Sequence, residues 1–365
     1  MVTDRRQVLT IMLLLLAIAL TGCWDNRDPR NRAFVTALGD DGLLEVTFQI
    51  PAAGQLRGSA GGGGGKQNQV AFTTVTGRGE NFAEGFARAQ ASVSRELYLG
   101  QMNLLVFGRR LVAKGLQPLT LELARTPEAV TCFYAMADRA KEALATAPSV
   151  EPVPGVYIRS FFESVEVRGR FLQTRMWKLY RGLITPGRDP FMPVMETTGG
   201  ATRLAGTAVL RGDRLAAVLD EEESRGLAWL LTGTRREALT VKVGGRAYAL
   251  RHIESRVTTR VHWEGNRPAA RAYVRITAEV SAPWSHLDSE TLNRVEAALS
   301  NHVQEEAGTF LKRAQRAGSD PVGFGARLLD ADPWRWPQVN WDREYPRLHL
   351  DVAARSHIYG TGMRK

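Results

Sequence analysis

Cysteine is almost missing from this chain: 365 residues carry two, Cys23 and Cys132. If Cys23 is consumed at the N-terminus, as argued below, no pair remains and internal disulfides cannot hold the fold. Cys132 lies in the apolar stretch Val130 to Met136 and reads as a buried small hydrophobe, not a reactive thiol. Histidine is scarce as well, at 252, 262, 286, 302, 349 and 357, and no His-Glu-x-x-His or short two-ligand spacing occurs, so no metal site is assigned. The Gly-x-Ser-x-Gly elbow of acyl-transfer enzymes does not occur. Gly65-Lys66 is preceded at the required spacing by Ala60 and followed by Gln67, which lacks both the first glycine and the magnesium-binding hydroxyl of a triphosphate loop. Gly77-Arg78-Gly79 stands between a predicted strand and helix, but Phe82 occupies the third glycine position of a dinucleotide site. A tight strand-to-helix turn accounts for those glycines. With no defensible acid-base pair, the residues point away from an enzyme and to no cofactor.

Past residue 20 no apolar run approaches the roughly 20 residues that cross a bilayer as a helix. The nearest is Leu227 to Leu231. The net charge of +10 raises the question of nucleic acid, yet the arginines are scattered and the densest runs are pairs such as Arg109-Arg110 and Arg235-Arg236. Without a basic arm, an aromatic-glycine signature or a reading helix, no nucleic-acid partner is expected. The charge suits a protein held near anionic lipid head groups.

What is present begins at the N-terminus. Arg5 and Arg6 precede the apolar run Val8 to Leu20, broken only by Thr10, and Leu20-Thr21-Gly22-Cys23 follows. This is the layout of an export signal, too short for a comfortable membrane span, and its ending resembles the lipobox of bacterial lipoproteins. Residues 1–22 would be removed and Cys23 would become an acylated N-terminus. The chain would then be anchored to a membrane without crossing it.

The remainder is too long for one ordinary core, so two or three domains are expected, and 44% hydrophobic with 24% charged residues is the composition of a folded protein. A first strand over Ala33 to Gly39, a turn at Asp40-Asp41-Gly42 and a strand over Leu44 to Ile50 read as a hairpin. Gly54 to Gln69, with five consecutive glycines at 61 to 65, reads as a loop. A strand over Val70 to Thr76 precedes a helix from Asn81 with Phe82, Phe86, Ala89 and Val93 on one face. Strands at Leu104 to Gly108 and Val130 to Ala137, helices near 110–114, 119–125 and 138–145, and a proline joint at Pro148, Pro152 and Pro154 complete an α+β region. Tyr157 to Thr198 is predicted helical at its start and loop-rich at its end.

From Arg203 the pattern changes. Strands Gly206 to Leu210 and Leu215 to Leu219 flank Arg211-Gly212-Asp213-Arg214, where Gly-Asp is hairpin chemistry more than an adhesion signal. Glu221-Glu222-Glu223 opens a helix to Leu231, where acids are favoured by exposed amides and the dipole. Strands over 239–243, 248–263 and 271–280 precede a long helix capped by Ser289, striped by Leu292, Val295, Leu299, Val303, Phe310 and Leu311 and ended by Gly318. A closing strand spans Leu348 to Ile358, and a sheet with one long helix on a face is the simplest assembly. Trp334, Trp336, Trp341 and Tyr345 either line a sugar or choline site or pack that helix onto the sheet. The expected division is 1–22, 23–200 with a joint near 148–155, and 203–365 with a subdivision near 235.

Several stretches together resemble the Ger(x)C spore-germination lipoproteins, the C subunits of germinant receptors. They are Thr21-Gly22-Cys23-Trp24-Asp25, Val35 to Gly39, Gly108 to Gly115, Gly206 to Asp220 with Glu223-Ser224-Arg225-Gly226, Asp320-Pro321-Val322-Gly323-Phe324-Gly325, and Trp341 to Pro346. The five-glycine insertion and Asn26-Arg27-Asp28-Pro29 depart from the family pattern. The resemblance implies an α+β protein of up to three small domains, lipid-anchored at Cys23 on the outer face of the spore inner membrane. It would work there beside a polytopic A subunit and a transporter-like B subunit, as a non-catalytic part of a nutrient receptor. The alternatives are a lipid-anchored solute-binding protein of a transporter and a cell-wall hydrolase.

Overall fold

The computed structural model describes residues 32–34, 37–40, 45–51, 72–146, 159–160, 162–163, 172, 174–231, 235–281 and 287–360. Cys23, the five-glycine run, the Asn26 to Pro29 segment and the proline joint lie outside them.

The chain opens with β1 (Arg32–Phe34), β2 (Ala37–Asp40), β3 (Glu45–Pro51) and β4 (Phe72–Arg78), followed by α1 (Phe82–Gln90), β5 (Glu96–Tyr98) and β6 (Leu104–Gly108). Short helices α2 (Arg109–Lys114), α3 (Gln117–Leu123) and α4 (Pro127–Val130) lead to β7 (Phe133–Ala137) and α5 (Ala140–Ala145). After α6 (Met176–Ile184) come β8 (Phe191–Thr198), β9 (Ala201–Arg211), β10 (Arg214–Leu219) and α7 (Glu221–Leu231). The remaining elements are β11 (Arg235–Val243), β12 (Arg246–Glu264), β13 (Arg267–Ser281), α8 (Ser289–Ala317), α9 (Phe324–Ala331), α10 (Trp341–Glu344) and β14 (His349–Gly360).

Eight strands form one sheet in the order β10-β9-β8-β7-β6-β2-β3-β4. Its four central strands are mutually parallel, and an antiparallel pair flanks them on either side. Parallel strands are covered on both faces, so they read as continuous apolar runs. Accordingly every residue of Leu104–Gly108 and Phe133–Ala137 is buried. Leu105, Phe107, Tyr134 and Met136 meet residues of α1, α2, α3 and α6 on one face. Leu104, Val106, Phe133 and Ala135 meet α5 and Phe162 on the other.

The second sheet is the antiparallel meander β11-β12-β13 with β14 added in parallel. Along β13 the alternate residues Ala270, Ala272, Val274, Ile276, Ala278 and Val280 are buried in the core that receives Val295, Leu299, Val303, Phe310 and Leu311 of α8. Small alanines on the strand leave room for the larger side chains of the helix, which keeps the packing dense. Helix α7 inserts Leu227, Ala228, Trp229 and Leu230 into this same core, together with Val209, Ala217 and Leu219 of the first sheet. The two sheets therefore share a core through α7.

The mixed α+β class and the C-terminal sheet with its long helix agree with expectation. Four local readings change. The single first strand is two: β1 pairs in parallel with β5, unforeseen at Glu96–Tyr98, while β2 pairs with β3. The loop-rich end of 157–198 contains β8, whose interior Pro193 weakens the sequence signal because proline lacks the ladder donor. The strand expected at Gly206 begins at Ala201. The cap of α8 is Asp288, whose carboxylate accepts the Thr291 amide at 2.6 Å, and not Ser289. Gly318 ends that helix in the left-handed region at φ 65°, as its position implies.

The compositional change at 200–203 falls at the Gly199–Gly200 turn. The strands on either side of it pair from Thr198↔Ala201 to Phe191↔Val209.

Candidate functional site: the junction between the two sheets

Three segments far apart in sequence meet where α8 ends. The Ser319 hydroxyl donates to the Leu210 carbonyl at 2.5 Å. Asp189 accepts the amides of Asp320 at 2.7 Å and Gly212 at 2.8 Å, one with each carboxylate oxygen, and the Asp189 amide returns a bond to the Asp320 carbonyl at 2.9 Å. One carboxylate thus ties the β9–β10 turn to the turn after α8. Asp320, 1% exposed, accepts the amides of Gly323 at 2.8 Å and Gly325 at 2.9 Å and the Trp341 indole N–H at 3.2 Å.

Burial pushes the Asp320 carboxyl up to about 7; the amides of Gly325, Phe324 and Gly323 oppose the rise and the nearby Asp189 charge adds to it. Burial also raises Asp189, against the amides it accepts. Gly325 is required by close approach: a Cβ there would lie 2.5 Å from the Trp341 ring and 2.7 Å from the Gly187 backbone. The Asp320 to Gly325 run is thus a turn whose acid gathers amides and whose glycine admits Trp341.

A second cluster joins α7 to α8. Asp220 and Glu223 form a reciprocal cap: the Glu223 amide donates to Asp220 at 2.8 Å, and the Asp220 amide donates to Glu223 at 3.2 Å. On α8, Glu306 is 1% exposed and accepts Arg225 Nε at 2.9 Å and Trp229 Nε1 at 2.8 Å from α7. Arg225 Nη2 stands 2.7 Å and His302 Nε2 3.2 Å from Glu306 Oε1. Burial alone would raise Glu306, but the approach of His302 and the bonds from Arg225 and Trp229 hold it below the usual range. The same acid raises His302 against the opposing effect of burial. Gly226 lets the helices touch, since a Cβ there would lie 2.3 Å from the Glu306 carbonyl oxygen.

The other candidate residues fall as follows. The acylation candidate Cys23 lies outside the described residues. Cys132 is buried, and burial pushes its thiol up to about 12, which leaves it unreactive. Asp213 of the Arg-Gly-Asp turn accepts the Gln117 amide through its carboxylate and the Leu116 amide through its carbonyl, so the tripeptide docks α3. Gly77 and Gly79 lie against α1, where a Cβ would meet the Gly85 carbonyl oxygen at 1.9 Å and the Gly85 amide at 2.5 Å. Among the aromatics, Trp336, Trp341 and Tyr345 stack in series with centroids 5.9 Å apart, while Trp334 stands apart at 89% exposed. Tyr345 and Trp341 pack against the core beneath α8, which favours packing over a sugar site for those two. Sequence reading missed that His262 and His349 flank Glu264, at 3.3 and 3.5 Å. It also missed Glu306, although a lone acid at a stripe position of α8 is a legible signal.

Of the stretches that carried the resemblance, 206–226, 320–325 and 341–346 supply residues to this junction. Two family models cover the chain: one described as the spore germination protein N-terminal domain matches residues 25–197, and one described as spore germination B3/GerAC like, C-terminal, matches residues 205–362. The chain belongs to this spore germination family. Spore germination protein KC of Bacillus subtilis (strain 168) is 25% identical over 398 aligned positions, covering 99% of this chain and 97% of that protein. Spore germination protein GerQC of Bacillus cereus is 24% identical, covering 97% of this chain and 98% of that protein. The crystal structure of the GerBC protein has a TM-score of 0.58 at 12% identity, over 86% of this chain and 93% of that one, a likeness of fold. The Ger(x)C reading is borne out at the level of family, and with it a role in spore germination. Germinant receptor C subunits are not a family known as enzymes.

Proposed function

We propose that this protein is the non-catalytic C subunit of a nutrient germinant receptor, held by acylated Cys23 at the outer face of the spore inner membrane beside the A and B membrane subunits. One observation carries the non-catalytic part. The carboxylates at the junction, the half-buried Asp189 and the buried Asp320 and Glu306, all accept donors from the chain itself. Groups committed in this way hold packed elements together and are not free to act as acid or base on a substrate. The anchor rests on the Leu20 to Cys23 ending: acyl chains confine the folded part to two dimensions, which raises its effective concentration near membrane partners and lets a weak contact assemble a receptor. A solute-binding protein needs two lobes that hinge about a cleft, and the direct bonds among Asp189, Gly212 and Asp320 speak against such a hinge.

The test is capture of the tagged, acylated protein from spore membranes in mild detergent, with mass spectrometry of what accompanies it. Two polytopic partners are expected; recovery alone, or with a transporter of the ATP-binding-cassette type, would overturn the reading. Cys23→Ala is expected to leave the fold intact and abolish receptor function. Normal germination with the variant wholly in the soluble fraction would refute the role of the anchor.

A further inference from the structure

Beside the junction, α6, the segment 188–191 and α9 enclose a cavity of about 250 Å³. Four cations line it, Lys178, Arg181, Arg188 and Arg327, with a single acid, Asp189, whose oxygens already hold the amides of Asp320 and Gly212. Arg327 is held at the rim, its Nη1 donating to the Val322 carbonyl at 2.6 Å and the Gly323 carbonyl at 3.0 Å. Arg188 is different. Its Nε is buried and has no hydrogen-bond partner among the described residues, and the Thr174 hydroxyl stands on the cavity wall.

The chain makes room for this unmatched Nε. Gly323 lies at φ 77°, and a Cβ there would stand 2.4 Å from Arg188 Nε, so any side chain at 323 would displace the arginine. A buried donor left without an acceptor is costly, and burial together with the charges of Arg327 and Arg181 pushes the Arg188 guanidinium down from its usual range. Burial, followed by the charge of Arg175, lowers Lys178 in the same way. An oxyanion would relieve each of these conditions, because charge-assisted bonds to guanidinium are among the strongest a protein makes. Trp177, Phe191 and Pro321 supply apolar wall.

We propose that this cavity is a binding site for a small organic oxyanion, a carboxylate or phosphate with a short apolar body, held by Arg188 with Arg181 and Lys178 and oriented by Thr174. At about 30 Å³ per water-sized group the space suits a ligand of roughly eight heavy atoms. The proposal does not rest on the receptor reading.

The test is isothermal titration of the folded chain with isovalerate, acetate and inorganic phosphate at constant ionic strength, in the native protein and in Arg188→Gln and Arg181→Gln. Saturable binding of isovalerate or phosphate is expected, with acetate weaker than isovalerate because it lacks the apolar body. Either variant should weaken binding at least about tenfold. Arg181 is exposed, so Arg181→Gln keeps the test valid should the Arg188 variant misfold. Isovalerate binding with phosphate inert would assign the site to carboxylates, and the reverse to phosphates. No saturable binding below about 10 mM, or equal binding by native and variant proteins, would overturn the proposal.

Discussion

Glu306→Gln is the sharpest perturbation of the shared core. In the native protein Oε1 accepts Arg225 and Oε2 accepts the Trp229 indole, at 2.9 and 2.8 Å, in a site 1% exposed. Glutamine keeps one acceptor oxygen. If that oxygen faces Arg225, the amide NH₂ confronts the Trp229 N–H; if it faces Trp229, the NH₂ confronts the guanidinium; in both the arginine loses this counter-charge. Either arrangement leaves a buried donor unmatched, about 1–3 kcal/mol, and breaking a buried ion pair costs about 3–5 kcal/mol. Arg225 retains Glu221 at 3.2 Å, which limits the loss, and about 3 kcal/mol is expected. At roughly 1.5 °C per kcal/mol for a chain of this length, Tm should fall by about 4–5 °C in thermal unfolding followed by circular dichroism. Replacing both partners, Arg225→Met with Glu306→Leu, should recover part of the loss, because the buried charge pair is gone and only the Trp229 N–H and His302 then lose their partner. A Glu306→Gln protein within about 1 kcal/mol of native in urea unfolding would refute the view that this pair holds α7 to α8.

Other consequences can be checked on the same protein. Gly226→Ala places a Cβ 2.3 Å from the Glu306 carbonyl oxygen and should destabilise by about 1–3 kcal/mol, whereas Gly308→Ala, with nothing within 4 Å, should stabilise by about 0.5–1 kcal/mol; urea midpoints decide between opposite signs. Asp320 is raised in the folded state, so its contribution is complete below about pH 3.8 and declines as pH rises to about 7, by at most about 4 kcal/mol. Asp320→Asn should flatten that slope in Tm measured against pH, and an unchanged slope would place the titration elsewhere. Trp334→Ala, at a residue 89% exposed, should shift stability by less than about 0.5 kcal/mol, while Trp341→Ala removes the ring over Gly325 and should cost about 3 kcal/mol in the same unfolding assay.

Much of the fold is local in origin and was legible. Leu104 to Gly108 and Phe133 to Ala137 are continuous apolar runs because both faces of a parallel strand are covered, and the α8 stripe repeats at helical spacing because one face meets β13. Gly318 and the Gly-Asp of the 211–214 turn announce their own geometry. Some readings failed where a local rule was overridden: Pro193 hides β8, and the three-residue β1 gains its order only by pairing with β5, some sixty residues on. The candidate site was legible only in its pieces. Asp320 and Gly325 stand out as a motif, yet nothing near them in sequence marks Asp189, Gly212 or Trp341 as their partners.

The sequence by itself determined most of the kinds of element and the family, because periodicity, turn chemistry and short motifs depend on neighbours within a few residues. The tertiary structure decided that the β9–β10 hairpin completes the first sheet while α7 enters the core of the second. It also brought Asp189 to Asp320 and Glu306 to Arg225, and left Arg188 facing a cavity without an acceptor. Those pairings span eighty residues or more. Which donor meets which carboxylate is settled by where the packed elements return the chain, a property of the whole core and of no segment within it.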